Sequence, residues 1–227
     1  PMTYYKSLQE YVQVLEREGL LFRVKKPINK DTEMHPLVRW QFRGLDEAQR
    51  RAFYFENIHD AKGKKYDIPV LIGGLAASQR IYALGLMSKE EEVEDIWSKA
   101  LEKPIEPILV KEGEAQDVVY QGEELTRRGG LYMLPIPIST PGFDNAPYLT
   151  AGCWITKDPD NGVRNMGVYR GQIKGPLKTS IMWGSLKHTA IHWEKCNERG
   201  VPLDAAIVIG GPPCITYAAV QAVPYGV

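Results

Sequence analysis

The sequence predicts an α+β fold: an N-terminal α/β domain over residues 1–110, followed by a β-rich domain over residues 111–227. Three observations carry that expectation. Helical periodicity alternates with short apolar runs as far as residue 105, the pattern of an α/β unit. Beyond Val110 the helical period gives way to short runs broken by Gly, Pro and Asp-Asn turns, the texture of a barrel or sandwich. The 227 residues, 44% hydrophobic and 25% charged, are enough for one large domain or two small ones with a real core.

Each element has a local reason. SLQEYVQVLEREG opens as a helix: Ser7 is placed to cap, Glu10 is its capping-box partner, and Leu8, Tyr11, Val12 and Leu15 share one face before Gly19 stops it. LLFRVKKPI alternates as a strand that Pro27 limits. A helix is expected from about Asp31 through TEMHPLVRWQFR, with Pro36 either in its first turn or breaking it. RAFYFENI and YDIPVLIGGL each read as a strand, the second ending at Gly73-Gly74. Ser78 or Ser88 caps the helices beyond that strand, and SKEEEVEDIWSKALEKP sets acids at the positive end of a helix that stops before Pro104. EAQDVVYQGE, YLTAGCWITKD, NMGVYRGQI and KTSIMW then read as strands, with DPDNG, Asp158 to Gly162, as a hairpin turn. KHTAIHWEKCNERG is a helix ending at Gly200, and VPLDAAIVIGGPP is a buried strand running into a Gly-Gly-Pro-Pro turn.

The totals exclude several classes. Lys plus Arg equals Asp plus Glu, 28 against 28, so no basic excess points to nucleic acid. No apolar run approaches the ~20 residues of a membrane span, and no signal-peptide core opens the chain. Cys153, Cys196 and Cys214 are odd in number and widely spaced, which suits buried thiols in a reducing, cytoplasmic setting.

Candidate chemistry lies in three places. The run RNMGVYRGQIKGP reads as a strand, yet it carries Asn165, Arg170 and Gln172, polar groups that are costly to bury without partners. Asn165 and Arg170 are five apart, so a regular strand points them to opposite faces unless a bulge realigns them. A surface Arg at a strand end is the competing reading; a binding guanidinium works best clamped by carboxylates. Lys187 and His188 stand where a helix begins, a place that favours anions, and neutral His188 could instead hold a metal ion. An exposed Lys-His pair at a helix terminus is the plainer alternative. His192 lies at i+4 without an HExxH glutamate, and Trp193 beside it suggests packing. Gly210 and Gly211 in IGGPP let backbone N–H groups approach an anion. The run matches neither nucleotide fingerprint, so a simple tight turn is the more ordinary reading.

Taken together, YLTAGCWITKDPDNGVRNMGVYRGQIKGP, KHTAIHWEKCNERGVPLDAAIVIGGPP and the closing AVPYGV strongly resemble the UbiD family of reversible decarboxylases, which use prenylated FMN. The resemblance extends to the opening LQEYVQVLEREGLLFRV. Its densest motif, N-x-G-x-Y-R-x-Q, falls on Asn165, Gly167, Tyr169, Arg170 and Gln172. It implies that residues 111–227 form a split-barrel-like flavin-binding domain, incomplete at its C-terminus. Asn165 and His188 would bind a divalent metal, Mn2+ or Mg2+, that bridges the flavin phosphate, ions suited to oxygen and imidazole ligands. Lys187 would touch the cofactor or its phosphate, and Thr150, Val168, Tyr169 and Arg170 would lie along the flavin. Gly210, Gly211, Pro212 and Pro213 would set backbone against cofactor and K+. Arg170 would be the catalytic arginine, held between glutamates and binding the substrate carboxylate.

The implied substrate is an aromatic, heteroaromatic or α,β-unsaturated carboxylic acid. Tyr148, Trp154 and Trp183 are candidate aromatic walls, although core packing is the more ordinary role. The resemblance also implies a homo-oligomer, a flavin prenyltransferase as cofactor supplier, and a longer protein, since the third metal ligand and the acid/base glutamates are expected after Val227. Two rivals remain: a non-catalytic UbiD-like subunit or flavin-binding partner of a multi-subunit carboxylase, and a split-barrel flavin reductase using ordinary FMN.

Overall fold

A computed structural model describes residues 4–184 and 187–225. Ser185 and Leu186 of the SLKHTAIHW run, and Gly226 and Val227 of AVPYGV, lie outside the described residues.

The first helix, α1 (Leu8–Arg17), starts where expected, with Ser7 Oγ accepting the Glu10 N–H at 3.2 Å. The Glu10 carboxylate accepts from Lys6 N–H at 2.7 Å rather than from the cap residue. The chain continues through β1 (Leu21–Val24), β2 (Ile28–Asn29), α2 (Met34–Gly44), β3 (Ala52–Phe55), β4 (Ile58–His59), β5 (Lys65–Tyr66) and β6 (Val70–Ile72). Pro36 is the third residue of α2, so its missing N–H interrupts nothing. RAFYFENI and YDIPVLIGGL are each two strands rather than one. β1, β3 and β6 form one sheet while β2, β4 and β5 form another, so the chain changes sheet at Glu56-Asn57 and again before Pro69. The β1–β3 and β2–β4 pairings are parallel; β3–β6 and β4–β5 are antiparallel.

Ser78, not Ser88, provides the next cap: its Oγ accepts from Ile81 N–H at 3.2 Å and opens α3 (Gln79–Gly85). Ser88 donates to Ala83 O instead, and α4 (Val93–Glu102) begins after a single 3-10 turn at Glu90–Glu92. Buried Tyr11, Leu15, Leu20, Ala52 and Ile81 form one core, and Ile28, Met34, Val38, Phe55 and Ile58 a second.

The expected strand EAQDVVYQGE is absent. It is a 3-10 turn at Glu114–Gln116, then exposed Val118 and Val119, then α5 (Gly122–Arg128). Glu123 and Glu124 in the first turn and Arg127 and Arg128 in the last complement the helix dipole. The remaining elements are β7 (Tyr148–Leu149), β8 (Cys153–Lys157), β9 (Arg164–Val168), β10 (Gly171–Gly175), β11 (Lys178–Ile181), α6 (His188–Glu198), β12 (Ala205–Val208) and α7 (Pro213–Val220). DPDNG does turn the β8–β9 hairpin. The strands form two antiparallel three-stranded sheets, ordered β12-β8-β9 and β11-β10-β7, and among the described residues neither closes into a barrel. Among the described residues β12 is an edge strand paired only on its β8 side, with Ala205 and Ala206 exposed, not the buried strand its apolar run suggests. Among the described residues no helix is long and apolar enough to cross a membrane. Cys153 and Cys196 are buried thiols, and Cys214 is half-buried.

The run RNMGVYRGQIKGP is likewise two strands. β9 ends at Val168, β10 begins at Gly171 in the other sheet, and Tyr169-Arg170 form the corner between them. The Trp154 indole N–H donates to Tyr169 O across this corner at 3.0 Å. A Cβ on Gly171 would lie 2.9 Å from the Trp154 ring. Gly171→Ala is therefore expected to destabilise the protein by about 1–3 kcal/mol through overpacking. Gly175→Ala, whose Cβ meets nothing nearer than 4.0 Å, should be far milder; urea denaturation of the two variants checks the ranking.

Candidate functional site

Asn165 on β9 is the direct cross-strand partner of Thr156 on β8, and such partners share a face. That face meets α6. His188 is the first residue of α6, with Lys187 at its N-cap, which brings His188 Nδ1 to 3.2 Å from Asn165 Oδ1. Two adjacent ligands of an octahedral ion bound at ~2.1 Å stand about 3 Å apart, so this spacing fits a shared hard cation. Among the described residues no three or more His, Cys, Asp or Glu side chains gather as a metal group. The pair therefore offers two donor atoms side by side, one of them an amide oxygen.

Behind the pair runs a line of buried polar groups that the sequence motifs do not reveal. Asn165 Nδ2 donates to Thr189 Oγ1 at 3.1 Å; Thr189 Oγ1 lies 3.5 Å from Thr156 Oγ1; Thr156 Oγ1 lies 2.9 Å from His192 Nδ1. His192 thus packs in the interior, as Trp193 beside it suggested, and burial pushes its pKa down. At the far end, buried Asp158 accepts from Lys195 Nζ at 2.8 Å and from the Tyr225 hydroxyl. Lys195 also pairs with Asp160, which Arg199 holds as well. The Tyr225 ring stands edge-on to His188, centroids 5.1 Å apart. The signal was in the spacing: positions 188, 192 and 195 share a helix face.

Thr150, Gly210 and Gly211 line a different feature, a cavity of about 480 Å³ with mainly apolar walls, shared with His35, Gly73 and Gly74. Gly210 has a φ of +74°, a conformation that glycine adopts without strain, and this turns β12 into α7. Pro212 is the N-cap of α7 and Pro213 its first residue. Asn165, Val168, Tyr169, Arg170, Lys187 and His188 are not among the cavity walls. Cys153 and Thr156 explain the separation. They are three residues apart on β8 and so face opposite sides: Cys153 Sγ lies 3.6 Å from Thr216 Oγ1 of α7, whereas Thr156 meets α6.

The remaining candidates have plain positions. Arg170 is exposed at the sheet corner, its Nη2 3.5 Å from Met182 Sδ, and among the described residues it forms no ion pair. Val168 pairs with Cys153 in the ladder. Gln172 is buried and donates to Asn145 Oδ1 at 2.6 Å, a structural tie. Tyr148 lines the cavity, Trp154 is core, and Trp183 packs on Trp193 with centroids 6.2 Å apart.

Known proteins share this arrangement of chain. A family model described as UbiD: 3-octaprenyl-4-hydroxybenzoate carboxy-lyase Rift-related domain matches residues 109–227. The chain belongs to the UbiD family. An uncharacterized protein of Aquifex aeolicus (strain VF5) is 31% identical over 97% of this chain and 47% of its own length. The UbiD-class enzyme HmfF from Pelotomaculum thermopropionicum, in an evolved dimeric form in complex with prFMN, superposes with a TM-score of 0.84. It is 29% identical over 98% of this chain and 48% of that one. The vanillic acid decarboxylase ShVdcCD of Sedimentibacter hydroxybenzoicus, in closed form, gives a TM-score of 0.84 at 27% identity over 99% of this chain and 47% of that one. This UbiD-family chain thus spans about half the length of these relatives.

The buried carboxylate of Asp158 carries a testable pH signature. Burial alone would raise its pKa, but hydrogen bonds from Lys195, Tyr225 and the Asp160 N–H outweigh burial and hold it well below the usual carboxylate range. A depressed folded-state pKa contributes stability that is present above the unfolded value of about 4 and lost as pH falls toward the folded one. Asp158→Asn should therefore destabilise the protein at pH 7, with the gap narrowing below about pH 4. Urea titrations at pH 7 and pH 3 check this; a pH-independent gap would contradict it.

Proposed function

We propose that this chain is the cofactor-binding part of a non-oxidative, reversible decarboxylase that uses prenylated FMN. Its substrate is an aromatic, heteroaromatic or α,β-unsaturated carboxylic acid. The observation that carries the proposal is the approach of Asn165 Oδ1 to His188 Nδ1, at 3.2 Å, in a UbiD-family chain. Two further findings support it: HmfF is described in complex with prFMN, and ShVdcCD is a vanillic acid decarboxylase.

On this reading Asn165 and His188 hold Mn2+ or Mg2+, and Lys187, at the positive end of α6, meets the cofactor phosphate. Thr150, Val168 and Tyr169 bear on the flavin, and backbone at Gly210, Gly211, Pro212 and Pro213 serves the cofactor and K+. Prenylated FMN, when bound, supplies an electron sink for the bond that breaks to release CO2. Arg170 binds and orients the substrate carboxylate through its two-pronged guanidinium. Its exposed place at the corner leaves it free to turn, and the acids that clamp it and protonate product belong to the half of the relatives' length not spanned here. We place the domain division at residue 110, with a split-barrel-like arrangement of residues 111–227, a cytoplasmic homo-oligomer, and a flavin prenyltransferase as supplier.

The test uses the whole protein reconstituted with prenylated FMN. Arg170→Ala should lower CO2 release roughly a hundredfold or more while flavin absorbance on the protein persists. Asn165→Ala and His188→Ala should instead lose bound flavin and divalent ion together. Full activity in Arg170→Ala would sink the arginine's role. Bound flavin without CO2 release from any such acid would leave a flavin-binding subunit.

A further inference from the structure

We infer that Thr189 and Thr156 are positioning residues for the cation ligands: a one-directional run of hydrogen bonds from Asn165 to His192 holds the Asn165 amide with its oxygen toward the cation. The inference rests on Asn165 and His188 being cation ligands, as proposed above.

An asparagine amide has two ends of nearly equal size, and only the oxygen can ligate a metal ion. Which end faces the cation is decided by what the other end bonds. Here Asn165 Nδ2 donates to Thr189 Oγ1 at 3.1 Å. A hydroxyl that accepts in this way is free to donate onward, and Thr156 Oγ1 lies 3.5 Å away. The Thr156 hydroxyl in turn is 2.9 Å from His192 Nδ1, and His192 Nε2 faces Asp158 Oδ2 at 3.9 Å. With the imidazole proton on Nε2, toward the carboxylate, Nδ1 is left as an acceptor. Every donor in the run then points away from the cation and toward the anion at Asp158.

With His192 neutral, the reverse arrangement is the poorer one at its far end. With the amide flipped, Thr189 would donate to Asn165 and accept from Thr156, and Thr156 would accept from a protonated His192 Nδ1. That tautomer turns the Nε2 lone pair toward the Asp158 carboxylate, two acceptors facing each other. Asp158 is kept anionic by Lys195 and Tyr225, so the direction is set from outside the run. Thr156, Thr189, His192 and Asp158 are each no more than 2% exposed, so water cannot substitute for a missing partner. Valine at 156 or 189 would fill the same volume without the hydroxyl. What the hydroxyls supply is therefore orientation, and comparable partners behind metal ligands change affinity by roughly 10–100-fold.

The experiment is a Mn2+ titration of the whole protein with FMN present, followed by electron paramagnetic resonance of free Mn2+. Thr189→Val should weaken Mn2+ binding about tenfold or more, with Thr156→Val weakening it in the same direction. Thr189→Ser, which keeps the hydroxyl, should restore the affinity. Thermal unfolding of the variants separates this from a packing role, which would move the melting temperature without tracking the hydroxyl in Mn2+ affinity. Unchanged affinity in Thr189→Val, or a serine variant as weak as the valine one, overturns the inference while leaving the ligands in place. If Thr189→Val does not fold, Thr156→Val decides in the same way. No Mn2+ binding by the unsubstituted protein overturns the ligand reading and this inference together.

Discussion

The antiparallel pairing of β8 with β9 is the constraint on which the candidate site depends. Its register sets Thr156 opposite Asn165 and Cys153 opposite Val168. Strand side chains alternate, so slipping that register by one residue would exchange the faces. Asn165 would turn from α6 toward α7 and leave His188 without a partner. The six-residue connection from Asp158 to Val163 holds the register through backbone bonds at both ends: Asp158 N–H to Val163 O and Gly162 N–H to Asp158 O, each 2.9 Å. A local turn thus decides which side chains meet α6 two residues up the ladder.

The same turn also locates α6. Asp158 opens the hairpin and binds Lys195, while Asp160 within it binds Lys195 and Arg199. Lys195 lies seven residues beyond His188, which on a helix is about 10 Å. The charged cluster therefore grips one end of α6 and presents the other end at Asn165. Removing one member of a buried charged pair leaves the other uncompensated, and Asp158, at 2% exposure, is the member that cannot recover solvent. Hairpin register and helix placement are coupled through that carboxylate.

What was legible in the sequence was local. The Ser7 and Ser78 caps, the DPDNG hairpin and the start of a helix at His188 each rest on residues within a few positions of one another. Features set by distant partners were not legible. Asp158 and Lys195 are 37 residues apart in sequence, and nothing in either neighbourhood names the other. The helix α5 had its signal in GEELTRRGG, acids first, bases last and a left-handed Gly129 after them. The adjacent β-branched Val118 and Val119 of DVVYQ obscured it by suggesting a strand, for which the described residues provide no partner. β12 read as buried because apolar composition does not say whether both edges of a strand are covered. Among the candidate residues, Asn165, Lys187 and His188 gather where β9 meets α6, Thr150, Gly210 and Gly211 line the 480 Å³ cavity, and Arg170 stands at neither; the first two groups are separated by strand alternation along β8.

The polar residues within an otherwise apolar run have three different explanations, all arising from the corner at Tyr169-Arg170. Asn165 lies before it and faces α6; Gln172 lies after it and is spent on Asn145. Arg170 belongs to neither ladder, and steric reasons keep it there. A Cβ on Gly167 would fall 2.7 Å from the Tyr169 hydroxyl, and one on Gly171 would fall 2.9 Å from the Trp154 ring. The two glycines therefore make room for two aromatic rings, one on each side of the corner. Trp154 further holds Tyr169 O by its indole N–H. With Tyr169 folded back over Gly167, Arg170 is the side chain left to project from the corner into solvent. The spacing G-x-Y-R-G is thus a steric device: two small residues seat two large ones, and a guanidinium stands out from a rigid turn.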